Sequence, residues 1–277
     1  MGSPLKIMTV FAHPDDETFG CAGALYRAVR SGHRAAIVCA TRGEAGEIAD
    51  SSLAAPENLG AVREMELRRA AAAVGVQDVS FLDYMDGQLQ NAATEEAAAK
   101  ILAHLRRFRP DVVITFAPNG VYGHPDHVAI HYLTLTAIAA CAREDEFPEL
   151  GAPHLVQKVY YSSPSRETMI QMTQMMRSRG QTDFIPGGNA AGIPFEEMGV
   201  PEAEITTRLQ LTPAELAVKA KAMLCHATQL PPGNPFTDSS NEIEAMRLNM
   251  ETFALAPEPI SGATFSTPED DLFAGLR

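Results

Sequence analysis

Two short stretches hold the side chains on which chemistry could be built. The first, His13-Pro14-Asp15-Asp16-Glu17, puts one imidazole and three carboxylates on five consecutive residues. The second, Tyr122-Gly123-His124-Pro125-Asp126-His127, adds two imidazoles, a carboxylate and a phenol. Adjacent acids with no base among them repel by roughly 1 kcal/mol or more per close pair at intermediate dielectric. Such a cluster is expected where a cation sits, or where one carboxylate keeps its proton. The donor types favour the cation. His13, Asp16 and His127 would supply two imidazoles and a carboxylate, three protein ligands that leave room for water, as catalytic zinc requires. A dication lowers the pKa of its water by several units, to about 7. Asp15, beside a ligand but not needed as one, is suited to take the water's proton. His124 is suited to protonate a leaving nitrogen, with Asp126 holding it charged and oriented.

Both stretches follow an apolar run, and the elements around them suit a parallel sheet. Proline disfavours the α region for the residue before it, so His13 and His124 should be extended, just ahead of a helix start. Pro125 suits the first helical position, which puts Asp126 and His127 in the first turn. Strands are expected at residues 5–12, 34–40, 79–83 and 111–117. Helices are expected at 17–31, 59–74 and 94–108, and from the second stretch to about 143. Alternation of this kind implies βαβ units, a Rossmann-like, mostly parallel α/β sheet with helices on both faces. Functional groups should then gather beyond the carboxyl ends of the strands, where both stretches lie.

The second half is less regular. A strand is expected at 158–163 and a helix at 165–179, with Met172, Met175 and Met176 as core filler. Residues 205–211 suit another strand, and Thr212-Pro213-Ala214-Glu215 is a capping box opening a helix to about His226. The Gly- and Pro-rich segment 181–204 reads as a lid-like loop, and 257–277 as an irregular acidic tail. A single domain over 1–277 is expected.

Composition excludes several function classes. Thirty-five acidic against 22 basic residues give a net charge of −13, which argues against a nucleic-acid surface and suits anionic membranes poorly. No stretch approaches the roughly 18 apolar residues of a membrane span, and residues 1–12 lack the pattern of a secretory signal. Cys21, Cys39, Cys141 and Cys225 form no CxxC pair. They are expected to be reduced, in a cytoplasmic protein.

At AHPDDE (12–17) and YGHPDH (122–127) the chain resembles the LmbE-like (PIG-L) family, zinc-dependent deacetylases of N-acetylglucosamine-containing compounds. TRGEAGE (41–47), the helix segment beginning Arg63-Glu64, EITTRL (204–209) and HATQ (226–229) support the resemblance. It implies Zn2+, or Fe2+ or Co2+ in its place, on His13, Asp16 and His127. It further implies Asp15 as general base and His124 as general acid or oxyanion stabiliser. Tyr122 would polarise the amide carbonyl, Arg63 and Asp86 would contact sugar hydroxyls, and His226 would line the pocket. The expected activity is removal of an acetyl group from a small amino-sugar conjugate, by a chain that could act as a homo-oligomer.

Blander and competing readings remain at this level. Asp15 could cap the first helix, Arg63 could pair with Glu66 along its own helix, and Glu44 and Glu47 are expected to be loop charges. His131, four residues after His127, could form an HxxxH pair, but three better ligands are present. Cleavage of a larger amide in a thiol or glycoside conjugate would need the same residues. A non-haem iron oxygenase uses the same triad but would leave Asp15 and His124 without a task. A nucleotide-binding module would need G-x-G-x-x-G after the first strand, where three acids would instead repel a pyrophosphate.

Overall fold

The computed structural model describes residues 3–178, 197–230, 249–257 and 264–276. Strand β1 (Lys6–Phe11) is buried from its second residue onward, because parallel strands cover it on both edges. These are β2 (Arg34–Thr41) and β4 (Val112–Phe116), which place Ile37 and Ile114 on either side of Thr9. A run this apolar suits a strand with helices above and below it. With β3 (Asp78–Tyr84), β5 (Lys158–Ser162), β6 (Thr207–Gln210) and β7 (Met250–Leu255), the sheet has seven strands in the order β3-β2-β1-β4-β5-β7-β6. Strands β1 to β5 are parallel, and β7 runs antiparallel to both β5 and β6.

The connecting helices are α1 (Asp16–Arg30), α2 (Leu59–Ala73), α3 (Thr94–Phe108), a single turn α4 (Gly120–Gly123), α5 (Pro125–Cys141), α6 (Arg166–Ser178) and α7 (Pro213–Met223). Helix α3 buries Ala97, Ile101, Leu105 and Phe108, one face at helical spacing, and stops where Arg109 turns left-handed ahead of Pro110. Helices α1 and α2 pack on α7, and α3 packs on α5. From β1 the chain steps outward through β2 to β3, then returns to β4 on the other edge of β1. Right-handed crossovers put the two helix groups on opposite faces of such a sheet. The loops leaving β1 and β4 lead into α1 and α5 at this reversal of strand order, the place where open α/β sheets carry their functional groups.

Observed bounds agree with the sequence expectation to within about two residues for most elements. The capping box of α7 is present: Thr212 Oγ1 accepts the Glu215 N–H at 3.3 Å, and Glu215 Oε2 accepts the Thr212 N–H at 2.8 Å. Strand β7 has no counterpart in the sequence reading. Its second residue, Glu251, is 2% exposed and breaks the apolar pattern. Glu251 Oε1 meets Lys219 Nζ of α7 at 2.7 Å, and its two oxygens accept the Gly23 and Ala24 N–H groups of α1 at 2.8 Å. The tail also does more than its composition suggested. Glu269 is buried against Lys158 Nζ at 2.6 Å and accepts the Tyr160 hydroxyl, while Leu272 and Phe273 join the core. Of the lid-like segment 181–204, residues 181–196 lie outside the described residues, as do the side chains of Met172, Met175 and Met176. Among the described residues no helix is long and apolar enough to cross a membrane.

Candidate active site

The turn after β1 is strained. Asp15 has φ 121° and ψ −28°, a conformation that costs a non-glycine residue on the order of 1–3 kcal/mol. Although it occupies the N-cap position of α1, its side chain makes no cap hydrogen bond. Asp15 Oδ2 instead lies 3.2 Å from Arg63 Nη2 of α2, and the same guanidinium donates to the Pro14 carbonyl at 2.7 Å and the Gly43 carbonyl at 2.9 Å. Gly43 has φ +65°, and a Cβ there would stand 2.2 Å from Arg63 Nη1. Asp16 opens α1, and its Oδ2 accepts the His13 N–H at 2.8 Å.

The second turn follows β4. Pro125 takes the first position of α5, and His124 Nδ1 accepts the Asp126 N–H at 3.2 Å. His127 is 1% exposed, its ring stacked on Phe116 with centroids 3.9 Å apart and an interplanar angle of 10°. Its Nδ1 lies 3.2 Å from the Gly120 carbonyl. Gly120 has φ +62°, and a Cβ there would be 2.8 Å from the His127 Cβ. Tyr122 sets its ring edge-on to His127 at 5.0 Å between centroids.

These two turns meet. His13 Nδ1 is 3.1 Å from His127 Nε2, and Asp16 oxygens lie 3.7 Å from His13 Nδ1 and 3.5 Å from His127 Nε2. The hydrogen on each ring is assigned by the partner of its other nitrogen. His127 Nδ1 faces a carbonyl, and His13 Nε2 lies 3.0 Å from Asp86 Oδ1 and 3.3 Å from Asp126 Oδ2. Two nitrogen lone pairs and a carboxylate therefore point at one another. That arrangement needs a positive charge between them, and the donor set, with each ring's far nitrogen bonded elsewhere, fits a divalent metal ion. The His124 ring also comes within 4.8 Å of both other imidazoles through one nitrogen of each.

The electrostatics carry the same message. Burial works to lower the His13 pKa, but hydrogen bonds to Asp126 and Asp86 and the charge of Asp16 raise it to about 10. A field that draws a proton onto this imidazole also attracts a cation. Burial lifts Asp16 to about 7, partly countered by His13. Asp15 is raised by burial against the charges of Arg63, His226 and His13. Burial and the charge of His13 lower His124, and the same causes keep His127 neutral. Burial raises the Tyr122 phenol, which stays protonated.

Several residues stand elsewhere than the sequence suggested. Asp126 was expected to orient His124, but its carboxylate accepts the Gly87 N–H at 2.7 Å and the Leu89 N–H at 3.0 Å and faces His13. The helix turn aims it back at the β3 loop. Asp86 and Arg63 were expected at sugar hydroxyls. Asp86 is 8% exposed and tied to His13 and the Ala45 N–H, while Arg63 is 4% exposed with its two terminal nitrogens directed at the 13–15 turn and Gly43. Glu66 leaves Arg63 alone and accepts the Thr228 N–H and hydroxyl at 2.9 and 2.6 Å. His226, expected to line the pocket, is fully buried, its Nε2 3.1 Å from Thr18 Oγ1 and 3.5 Å from Glu17 Oε1. His131 Nδ1 bonds the Phe116 carbonyl at 2.8 Å and takes no part in the donor cluster. Glu44, expected to be a plain loop charge, ties the 42–44 turn to the Asp86 N–H at 3.3 Å. Contacts such as Glu66–Thr228 span 162 residues and left no local signal.

Residues 8–138 match the family described as PIG-L, GlcNAc-PI de-N-acetylase. Over 299 residues the chain is 32% identical to the 1D-myo-inositol 2-acetamido-2-deoxy-alpha-D-glucopyranoside deacetylase of Rhodococcus erythropolis, covering 99% of each chain. It is 33% identical over 293 residues to the protein of the same name from Geodermatophilus obscurus, covering 98% of each. In fold it is similar to the N,N'-diacetylchitobiose deacetylase of Pyrococcus horikoshii, with a TM-score of 0.66 at 20% identity over 91% of this chain and 84% of that one. Likeness of this extent makes the chain a member of the PIG-L (LmbE-like) family of de-N-acetylases.

Proposed function

We propose that the chain is a zinc-dependent N-deacetylase that hydrolyses the acetamide of an N-acetylglucosaminyl conjugate of the inositol type named for its relatives. The observation that carries this reading is the convergence of His13, Asp16 and His127 within 3.1–3.7 Å, beside the Arg63-held carboxylate of Asp15. His13 Nδ1, the Asp16 carboxylate and His127 Nε2 would hold the ion. Bound there, it would polarise water and the amide carbonyl.

The remaining steps belong to the side chains. Asp15, its pKa raised by burial, takes a proton from the attacking water as the C–O bond forms. Neutral His124 spends its Nδ1 lone pair on the Asp126 N–H, so its proton is on Nε2. That N–H donates to the developing oxyanion, and the proton that Asp15 took from water passes to the nitrogen as the C–N bond breaks, which releases acetate and a free amine. The protonated Tyr122 hydroxyl donates to the developing oxyanion. Arg63, Asp86 and Asp126 act from behind, holding Asp15 and His13 rather than the sugar.

The test is acetate release by zinc-loaded protein from N-acetylglucosaminyl-inositol, run beside a panel of thiol-conjugate amides. Turnover of the first that Asp15→Ala abolishes without loss of metal supports the proposal. Preferential turnover of the thiol conjugates would move the assignment to a larger amide.

A further inference from the structure

Behind the candidate base lies a second buried cluster that the proposed chemistry does not use. Glu17 is 3% exposed and His226 is fully buried. Glu17 Oε2 accepts the Asp15 N–H at 3.2 Å, and its Oε1 accepts the Thr18 hydroxyl. His226 Nε2 closes the cluster at 3.5 Å from Glu17 Oε1 and 3.1 Å from Thr18 Oγ1. Its Nδ1 is buried without a hydrogen-bond partner among the described residues.

We infer that His226 and Glu17 are a positioning pair for the base, His226 acting through Glu17 on the Asp15 amide. The inference rests on the proposal above that Asp15 is that base. A left-handed backbone at a non-glycine residue persists only where its surroundings over-determine it. The Asp15 carbonyl is taken by the Thr18 and Phe19 N–H groups at 2.8 and 3.0 Å, and its carboxylate by Arg63. Its N–H is left to Glu17. A carboxylate buried this deeply keeps one orientation only if its other oxygen is also held, which is the task of Thr18 and His226.

The placement of His226 is itself built. It follows α7, 208 residues beyond Thr18 in the chain, and leads into a short turn anchored at three points. Thr228 is bonded twice by Glu66, the Ala49 N–H donates to the Thr228 carbonyl at 2.8 Å, and Gln229 Nε2 donates to the Glu47 carbonyl at 3.1 Å. Glu66 and Arg63 lie one turn apart on α2. One helix therefore holds the Asp15 side chain directly and its backbone through the 226–229 turn. Full burial removes His226 from any sugar-binding surface.

The experiment compares kcat, KM and bound zinc in zinc-loaded wild type, Asp15→Asn, Glu17→Ala, His226→Ala, His226→Gln and the Glu17→Ala/His226→Ala double variant. His226→Ala and Glu17→Ala should each lose kcat by about 10- to 100-fold, the effect of misplacing a catalytic group by about 1 Å, with KM and zinc content retained. The double variant should be no slower than Glu17→Ala, and His226→Gln, whose amide can reach Glu17, should recover most of the loss. A raised KM at full kcat would make His226 a substrate contact, loss of zinc would make it a support for the ligands, and a lowered Tm with full kcat would make it structural. Each of these overturns the inference. Should His226→Ala fail to fold, Thr18→Val removes only the hydroxyl between the pair and must show the same kcat loss. An active Asp15→Asn sinks the underlying proposal, whereas an inactive Asp15→Asn beside a fully active His226→Ala sinks this inference alone.

Discussion

His13 Nδ1 and His127 Nε2 face each other at 3.1 Å although 114 residues separate them in the chain. Two lone pairs at that distance repel unless a proton or a metal ion lies between them, and the donor set around them suits the ion. Dialysis against a chelator should therefore abolish acetate release, and zinc should restore it. Because an ion held only by the folded arrangement stabilises that state, Tm should fall on chelation. His13→Ala should retain no metal after dialysis, measured by elemental analysis.

Asp126 faces His13, not His124, so its loss should be felt at the metal. Asp126→Asn keeps the shape but weakens the carboxylate–imidazole contact. Its zinc affinity should drop by roughly 10- to 100-fold, the usual cost of removing a partner behind a metal ligand. Competition with a chromogenic chelator measures this directly. His124→Gln should keep its zinc and lose kcat by roughly 10²–10³, the usual cost of a lost oxyanion donor. An Asp126→Asn protein that binds zinc normally would contradict a role for Asp126 behind His13.

Arg63 is the buried cation beside Asp15. Removing one partner of a buried ion pair costs about 3–5 kcal/mol, so Arg63→Ala should lower both stability in urea melts and kcat. Gly43→Ala should reproduce part of that loss without touching a charge, because its new methyl group would occupy the space of Arg63 Nη1.

Glu215 offers a test away from the site. Its hydrogen bond to Arg27 holds the carboxyl at about 2, against an ordinary 4.5. A carboxyl depressed on folding stabilises the protein above its unfolded pKa, and that contribution fades as pH falls from about 4.5 toward about 2. Glu215→Gln should therefore be less stable than wild type at pH 7, by about 1 kcal/mol as for a lost helix cap. The gap in Tm should narrow steadily between pH 4.5 and pH 3.

What could be read in advance followed the reach of each interaction. Ligand types packed into 13–17 and 122–127, the apolar run of β1, the periodic face of α3 and the capping box of α7 are all local patterns, and the structure has them where the sequence put them. The partners of Asp126, Arg63 and His226 are not local. Asp126 meets the β3 loop and His13, and His226 meets a glutamate at the opposite end of the chain. A buried carboxylate in these positions looks the same in sequence whether it touches sugar or protein. Strand β7 escaped for a related reason: Glu251 reads as a surface charge until Lys219 is folded onto it.

The insertion of β7 between β5 and β6 has a consequence for how the molecule is made. Among the described residues, strand β6 pairs with the sheet only through β7, which lies 40 residues further along. During synthesis the first five strands can assemble as they emerge, but β6 has no neighbour to join until residue 255 has left the ribosome. Until then Lys219 has no Glu251 to meet. The segment carrying His226, attached to that same region, should be among the last parts of the protein to reach its place.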